Sequence, residues 1–102
     1  MNLVVRSGNS LTGEVEIPGD KSISHRAALF AALAEGESRI DSFLVSGVTE
    51  SMLRSLTALG VPWQLAGASL AVSGRGLNGL TSPAAAIDCG SSATTLRLLA
   101  GA

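Results

Sequence analysis

The sequence predicts an α/β fold with the order strand, helix, strand, helix, strand, strand, and three observations carry that prediction. The spacing of apolar residues switches along the chain between a period of two and the helical period. Glycine and proline stand at the switches, at Pro18-Gly19, Gly36, Gly60 and Gly67. The interior must be filled by small aliphatic side chains, because 46% of the 102 residues are hydrophobic but there is no Tyr, one Trp and two Phe. Such filler lets helices approach neighbouring backbones closely. The length suits a single core.

The elements follow in order. Gly13 to Ile17, GEVEI, alternates polar and apolar residues and stops at Pro18-Gly19, which reads as a short strand and a turn. A first helix is predicted from about Ser24 to Glu35, with Ser22 or Ser24 as N-cap and Gly36 as the residue after its C-cap. Ala27 to Leu33 is apolar nearly all the way round, so this helix is expected to be buried on several sides. Ser38 to Leu44 reads as a strand with Ile40 and Phe43 inward. Thr49 is the expected cap of a second helix, about Glu50 to Leu59, whose Met52, Leu53, Leu56 and Leu59 form one buried face before Gly60 ends it. Two strands, near Pro62 to Leu65 and Ser69 to Ser73, make a hairpin turned by Gly67. Gly74 to Pro83 is a turn-rich linker, and a third helix runs from about Ser92 to Ala100. Nothing after it in the sequence is available to cover Leu96, Leu98 and Leu99.

Composition narrows the function. A net charge of −1 gives no basic surplus for a nucleic-acid backbone. No apolar run approaches the roughly 20 residues that span a bilayer, and the first residues lack the pattern of a secretory signal. Cys89 is the only cysteine, which excludes an intrachain disulfide and fits a reducing, cytoplasmic setting. No spacing of His, Cys, Asp or Glu suits a metal.

Gly74-Arg75-Gly76-Leu77-Asn78-Gly79 matches G-x-G-x-x-G, but Leu80-Thr81-Ser82-Pro83 does not continue as the helix that a dinucleotide loop requires, so it reads as turn and linker. Two other segments carry more chemistry. In PGDKSISHR, Lys21, Ser22 and Arg26 stand at a helix start, where unpaired backbone amides already favour an anion. Lys21 adds a mobile point charge and Arg26 a planar fork suited to carboxylates, and Ser22 and Arg26 share a helix face. The same residues read equally well as a plain cap with solvated flanks. His25, with no second ligand nearby, reads as a capping or packing residue. In DCGSSATTLRLL, small residues and hydroxyls crowd a second helix start with Arg97 a turn inside, which is either another ligand approach or an ordinary capped helix. Cys89 has no partner base in sequence and reads as a small apolar filler.

Taken together and in order, PGDKSISHRAALFAALAEG and DCGSSATTLRLLAGA resemble the signatures of the enolpyruvyl transferases, on the branch that acts on shikimate 3-phosphate. GVTESMLRSLTALGV and VSGRGL also fall in family order, so the resemblance covers essentially the whole chain. It implies a two-lobed enzyme several times longer, each lobe an inside-out α/β barrel of three βαβαββ units with helices inside and sheets outside. This chain would then be an N-terminal fragment: residues 1–17 a strand segment beginning in the other lobe, 18–83 the first complete βαβαββ unit, 84–102 the truncated start of the next.

The implied chemistry transfers the enolpyruvyl group of phosphoenolpyruvate to the 5-hydroxyl of shikimate 3-phosphate and releases phosphate, with no metal or organic cofactor, in the shikimate pathway to aromatic amino acids. By motif match Lys21 contacts both substrates, Ser22 and Arg26 hold shikimate 3-phosphate, and Ser91, Ala93 and Arg97 join Lys21 around phosphoenolpyruvate. The acid and base residues would lie in the remainder of the enzyme chain, so the fragment alone is expected to be inactive. Two alternatives stand beside this reading: a fragment of the UDP-N-acetylglucosamine enolpyruvyl transferase, which typically has Lys-Asn at the first motif, and a free-standing anion-binding or interaction module.

The sequence departs from the family pattern at three places. Ser91 replaces the usual Asn and Ala93 the second Gly of the second signature, and Val48 replaces an Asp near the second helix start. In this family Ala at the position of Ala93 accompanies insensitivity to glyphosate, a bulkier mimic of phosphoenolpyruvate.

Overall fold

The computed structural model describes residues 2–102. Three helices and three strands alternate as α1 (Lys21–Leu33), β1 (Glu35–Ile40), α2 (Gly47–Ala58), β2 (Trp63–Ala66), β3 (Ser69–Arg75) and α3 (Ala93–Ala100). The strands form one antiparallel sheet in the order β1-β3-β2. α1 packs against β1 and β3, α2 and α3 pack against α1 and each other, and the core lies between the helices and the sheet.

α1 begins three residues earlier than the pattern predicts, because Asp20 and not a serine is its cap. The Asp20 carboxylate accepts from the Ile23 amide at 2.9 Å. Ser24 is drawn into a long-range contact instead, its hydroxyl accepting from the Leu44 amide at 3.1 Å. The C-cap is Ala34, and Gly36 belongs to β1. Asp20→Ala is therefore expected to destabilise the fold by about 1 kcal/mol, whereas Ser22→Ala should be near neutral. Paired urea titrations check this.

The helix is also less enclosed than its all-round apolarity suggests: Ala28, Leu29, Ala31 and Ala32 are buried, but Ile23 and Phe30 stay exposed. Alanines on the buried face allow close packing. Gly74 of β3 allows still more, since a Cβ there would collide with the backbone carbonyls of Ala31 and Ala34.

β1 is shifted from the predicted Ser38–Leu44 to Glu35–Ile40, where it pairs with β3 from Glu35↔Arg75 to Ile40↔Leu70. It is an edge strand, which tolerates its polar residues. Phe43 is buried just beyond it, its amide donating to the Ala68 carbonyl at 2.8 Å. The exit of β1 is clamped at Asp41: a hydrogen bond from Ser69, then Arg39 beside it, hold this carboxyl below its ordinary value.

α2 starts at Gly47 under Ser46, which forms a reciprocal capping box with Thr49; Thr49 is the third helical residue, not the cap. The helix ends in a Schellman arrangement. The Val61 amide reaches back to the Leu56 carbonyl at 3.0 Å and Gly60, at φ 83°, to the Thr57 carbonyl at 3.1 Å. β2 and β3 form the expected hairpin, turned by Gly67 at φ 61°. The core joins Met52, Leu53 and Leu56 of α2 to the α1 alanines, Phe43, Val61, Leu70 and Val72.

The predicted strand Gly13 to Ile17 does not form. Val15 and Ile17 are exposed, and no ladder partner lies alongside them among the described residues. A strand is defined by that ladder, which alternation alone does not supply. At the other end, Leu98 and Leu99 of α3 pack against the core and only Leu96 is left open. Among the described residues no helix is long and apolar enough to cross a membrane.

Candidate functional site

The starts of all three helices meet around one side chain. His25, fully buried in the second turn of α1, has Nδ1 2.8 Å from the Lys21 carbonyl. Its Nε2 lies 3.1 Å from the Val48 carbonyl in the first turn of α2 and 3.3 Å from the Ser92 hydroxyl. Ser92 is the N-cap of α3: its Oγ accepts from the Thr95 amide at 3.0 Å and lies 2.7 Å from Thr95 Oγ1. Thr95 is buried as well, so a polar cluster sits beneath the junction with every group paired.

Above this floor is a concavity of about 170 Å³, lined by Lys21, His25, Val48 and the run from Ser91 to Thr94. The caps explain its chemistry. Asp20 takes the amide of Ile23, and Ser92 takes that of Thr95. The amides ahead of them, Lys21 and Ser22 on α1 and Ala93 and Thr94 on α3, are the orphan donors of their helix starts. Lys21 at the start of α1 and Ala93 and Thr94 at the start of α3 thus line one space without a carboxylate in its lining, and helix starts carry a partial positive charge. Approach to α3 is eased by Gly90 at φ 57°, whose amide is held by Asp88 at 2.8 Å. A second hollow of about 440 Å³ continues past Val48 and Ser91 towards Arg54, which donates to Ser51 at 3.1 Å.

The two motifs, some seventy residues apart in sequence, therefore share one cavity. Of the six site residues predicted from sequence, Lys21, Ser91 and Ala93 line it. Ser22 and Arg26 lie on the exposed face of α1, where Arg26 Nη1 donates to the Ser22 carbonyl at 3.1 Å. Arg97 is exposed on the last turn of α3, outside the lining. The structure adds four residues to the prediction: His25, Val48, Ser92 and Thr94. The Ser92-x-x-Thr95 spacing was the available signal for the α3 cap, but no local pattern shows that His25 reaches across to it.

Larger grooves exist elsewhere, without that chemistry. One of about 570 Å³ lies where residues 16–19 meet 42–45, with Glu16 as its charged side chain. Another of similar volume lies beside Arg75 and Gly76 to Gly79, where β3 ends in a turn and no helix opens. The glycine pattern there is turn and linker, as expected. Cys89 is half-buried, and its carbonyl accepts from Ser92 at 3.0 Å. Among the described residues no group of His, Cys, Asp or Glu is placed to hold a metal ion.

Comparison with known proteins places nearly the whole chain. The 3-phosphoshikimate 1-carboxyvinyltransferase of Xanthomonas oryzae pv. oryzae is 48% identical over 99 residues, covering 96% of this chain and 22% of that protein. The enzyme of the same name from Herpetosiphon aurantiacus is 46% identical over 101 residues, covering 99% of this chain and 23% of its own length. An EPSP synthase structure from Acinetobacter baumannii superposes with a TM-score of 0.80 at 37% identity, over 87% of this chain and 20% of that one. The chain thus spans about a fifth of the length of the relatives it matches. The family model for EPSP synthase (3-phosphoshikimate 1-carboxyvinyltransferase) matches residues 5–102, and the chain belongs to that family.

Proposed function

We propose that this chain supplies part of the substrate cradle of an EPSP synthase, acting with the remainder of such an enzyme in the cytoplasm. The reaction transfers the enolpyruvyl group of phosphoenolpyruvate to the 5-hydroxyl of shikimate 3-phosphate. The hydroxyl adds to C2 of the enol as C3 is protonated, and phosphate then leaves. Both substrates are anionic throughout, so preplaced cations and helix starts are the expected catalytic means.

The observation that carries this reading is the convergence of Lys21 with the starts of α1 and α3 on one concavity. Phosphoenolpyruvate is assigned to that space, against Lys21, Ser91 and Ala93. Ser22 and Arg26, on the adjoining exposed face, take shikimate 3-phosphate, Arg26 at its carboxylate. Arg97 is assigned to the phosphoenolpyruvate side only through the motif, since it stands outside the cavity. No metal or organic cofactor enters the proposal.

Residue-by-residue NMR titration of the chain with shikimate 3-phosphate, with UDP-N-acetylglucosamine as control, tests it. Selective shifts at Lys21, Ser22 and Arg26 with the first ligand are expected. Shifts with UDP-N-acetylglucosamine alone would assign the chain to the other branch. If neither ligand acts even after the complementing segments of an EPSP synthase are added, the cradle reading fails and an interaction module is favoured.

Ala93 carries a further expectation. Its methyl lies in the cavity lining at the first position of α3, where it narrows the approach to the amides. In an EPSP synthase carrying this segment, Ala93→Gly is expected to lower the glyphosate inhibition constant about tenfold or more, roughly 1.4 kcal/mol. An unchanged or higher constant would sink the idea.

A further inference from the structure

We propose that His25 is a positioning residue that sets the width of the anion cavity by tying the start of α3, and that of α2 with it, to the first turn of α1. The inference rests on the cradle reading for its ligand, and on geometry alone for its mechanism.

His25 bridges residues that line the cavity from different helices. On one side Nδ1 meets the carbonyl of Lys21, whose side chain lines the cavity. On the other side Nε2 meets the hydroxyl of Ser92, the residue immediately before Ala93. The same nitrogen lies 3.1 Å from the Val48 carbonyl, the third wall. The ring is fully buried, so water does not compete for these contacts.

At this end of α3 the buried side chains are Ser92 and Thr95, which bond to each other, and His25 is the side chain of another element hydrogen-bonded to them. Its core contacts come from Leu98 and Leu99, near the other end of the helix. The approach to its start is built from Gly90, Ser91, Ser92 and Ala93, which have no large side chain to pack. A neutral imidazole carries one N–H; protonated at Nε2, the ring donates towards the Ser92 hydroxyl and the Val48 carbonyl, and its own place in α1 supplies the link to Lys21. A glutamine amide at the same position reaches about as far as Nε2 and can serve Ser92 and Val48, whereas alanine serves neither.

The test uses this chain with His25→Ala, His25→Gln and a control, Val61→Ala, which removes buried core volume away from the cavity. Phosphoenolpyruvate is the probe, followed by NMR, with thermal melts run alongside. His25→Ala is expected to weaken binding about tenfold while the sheet amides keep their shifts, and His25→Gln to return to within about threefold of the parent. Val61→Ala should lower the melting temperature and leave affinity alone. Equal affinity in His25→Ala and the parent would overturn the proposal, as would a loss tracking melting temperature across all three variants.

If the parent chain alone binds no phosphoenolpyruvate, the cradle reading is decided with the complementing segments added, and the ligand-free spectra of the chain decide about His25. Amide exchange at Thr94, Thr95 and Leu96 that accelerates in His25→Ala but not in His25→Gln supports the proposal, and unchanged exchange overturns it. If His25→Ala does not fold, His25→Gln decides: parental binding and α3 protection support the tie, and loss of both in a folded protein overturns it.

Discussion

Leu56→Ala is expected to destabilise the fold by about 3 kcal/mol, within the 2–5 kcal/mol typical of a buried leucine truncated to alanine. Leu56 is 0% exposed and shares the core with Met52, Leu53, Val61, Leu70 and Val72. The small residues facing it make relaxation difficult: Ala28, Ala31 and Ala32 have no rotamers with which to fill a void. A domain of this size has only about 5–15 kcal/mol of stability, and each kcal/mol moves the melting temperature by about 4–8 °C. A fall of about 12–24 °C is therefore expected by calorimetry. Leu96→Ala is the contrasting case: this leucine is 60% exposed, and its loss should move the melting temperature by no more than a few degrees. Comparable effects from the two would mean that the α3 surface is buried in solution.

The same contrast shows what was legible in the sequence. Where a pattern reports directly on burial, the reading holds: Met52, Leu53 and Leu56 face the core, Gly60 ends α2, Gly67 turns the hairpin and Ser92 opens α3. It fails where the outcome depends on a partner distant in sequence. Ser24 is a good cap by type, but the Leu44 amide claims its hydroxyl and leaves the cap to Asp20. GEVEI alternates as a strand does, yet nothing pairs with it among the described residues. EGESRI reads poorly as a strand and becomes one because β3 offers a matching edge from Arg75 to Leu70.

The site divides along the same line. Lys21, Ser91 and Ala93 were named through the family resemblance of two motifs; the residues by themselves left a ligand site and an ordinary capped helix start equally open. That they line one cavity depends on how α3 is laid across α1, which no local pattern specifies. His25 was legible as a packing residue, and it is buried. Its contacts at Val48 and Ser92, 23 and 67 residues along the chain, exist only in the fold.

Lys21→Met separates binding from stability most sharply, because the two should move in opposite directions. Lys21 is exposed at the first position of α1, and the first turn of that helix contains no acidic residue. A cation there opposes the positive end of the helix dipole, an unfavourable arrangement of about 0.3–1 kcal/mol. Methionine keeps the length of the side chain and a good helix propensity, and the Lys21 carbonyl that meets His25 belongs to the backbone. The variant should therefore be as stable as the parent or slightly more so. Binding should suffer. A charged hydrogen bond is worth about 1.5–3 kcal/mol, so affinity for phosphoenolpyruvate is expected to fall by roughly 10- to 150-fold. Salt gives an independent check: added salt screens an exposed charge, so affinity should fall less steeply with ionic strength in the variant than in the parent. A variant that loses stability and affinity together would make Lys21 a structural residue. One that keeps parental affinity would remove the cation from the site. Opposite movement of the two quantities would identify a residue held against the electrostatics of its own helix for the sake of the ligand.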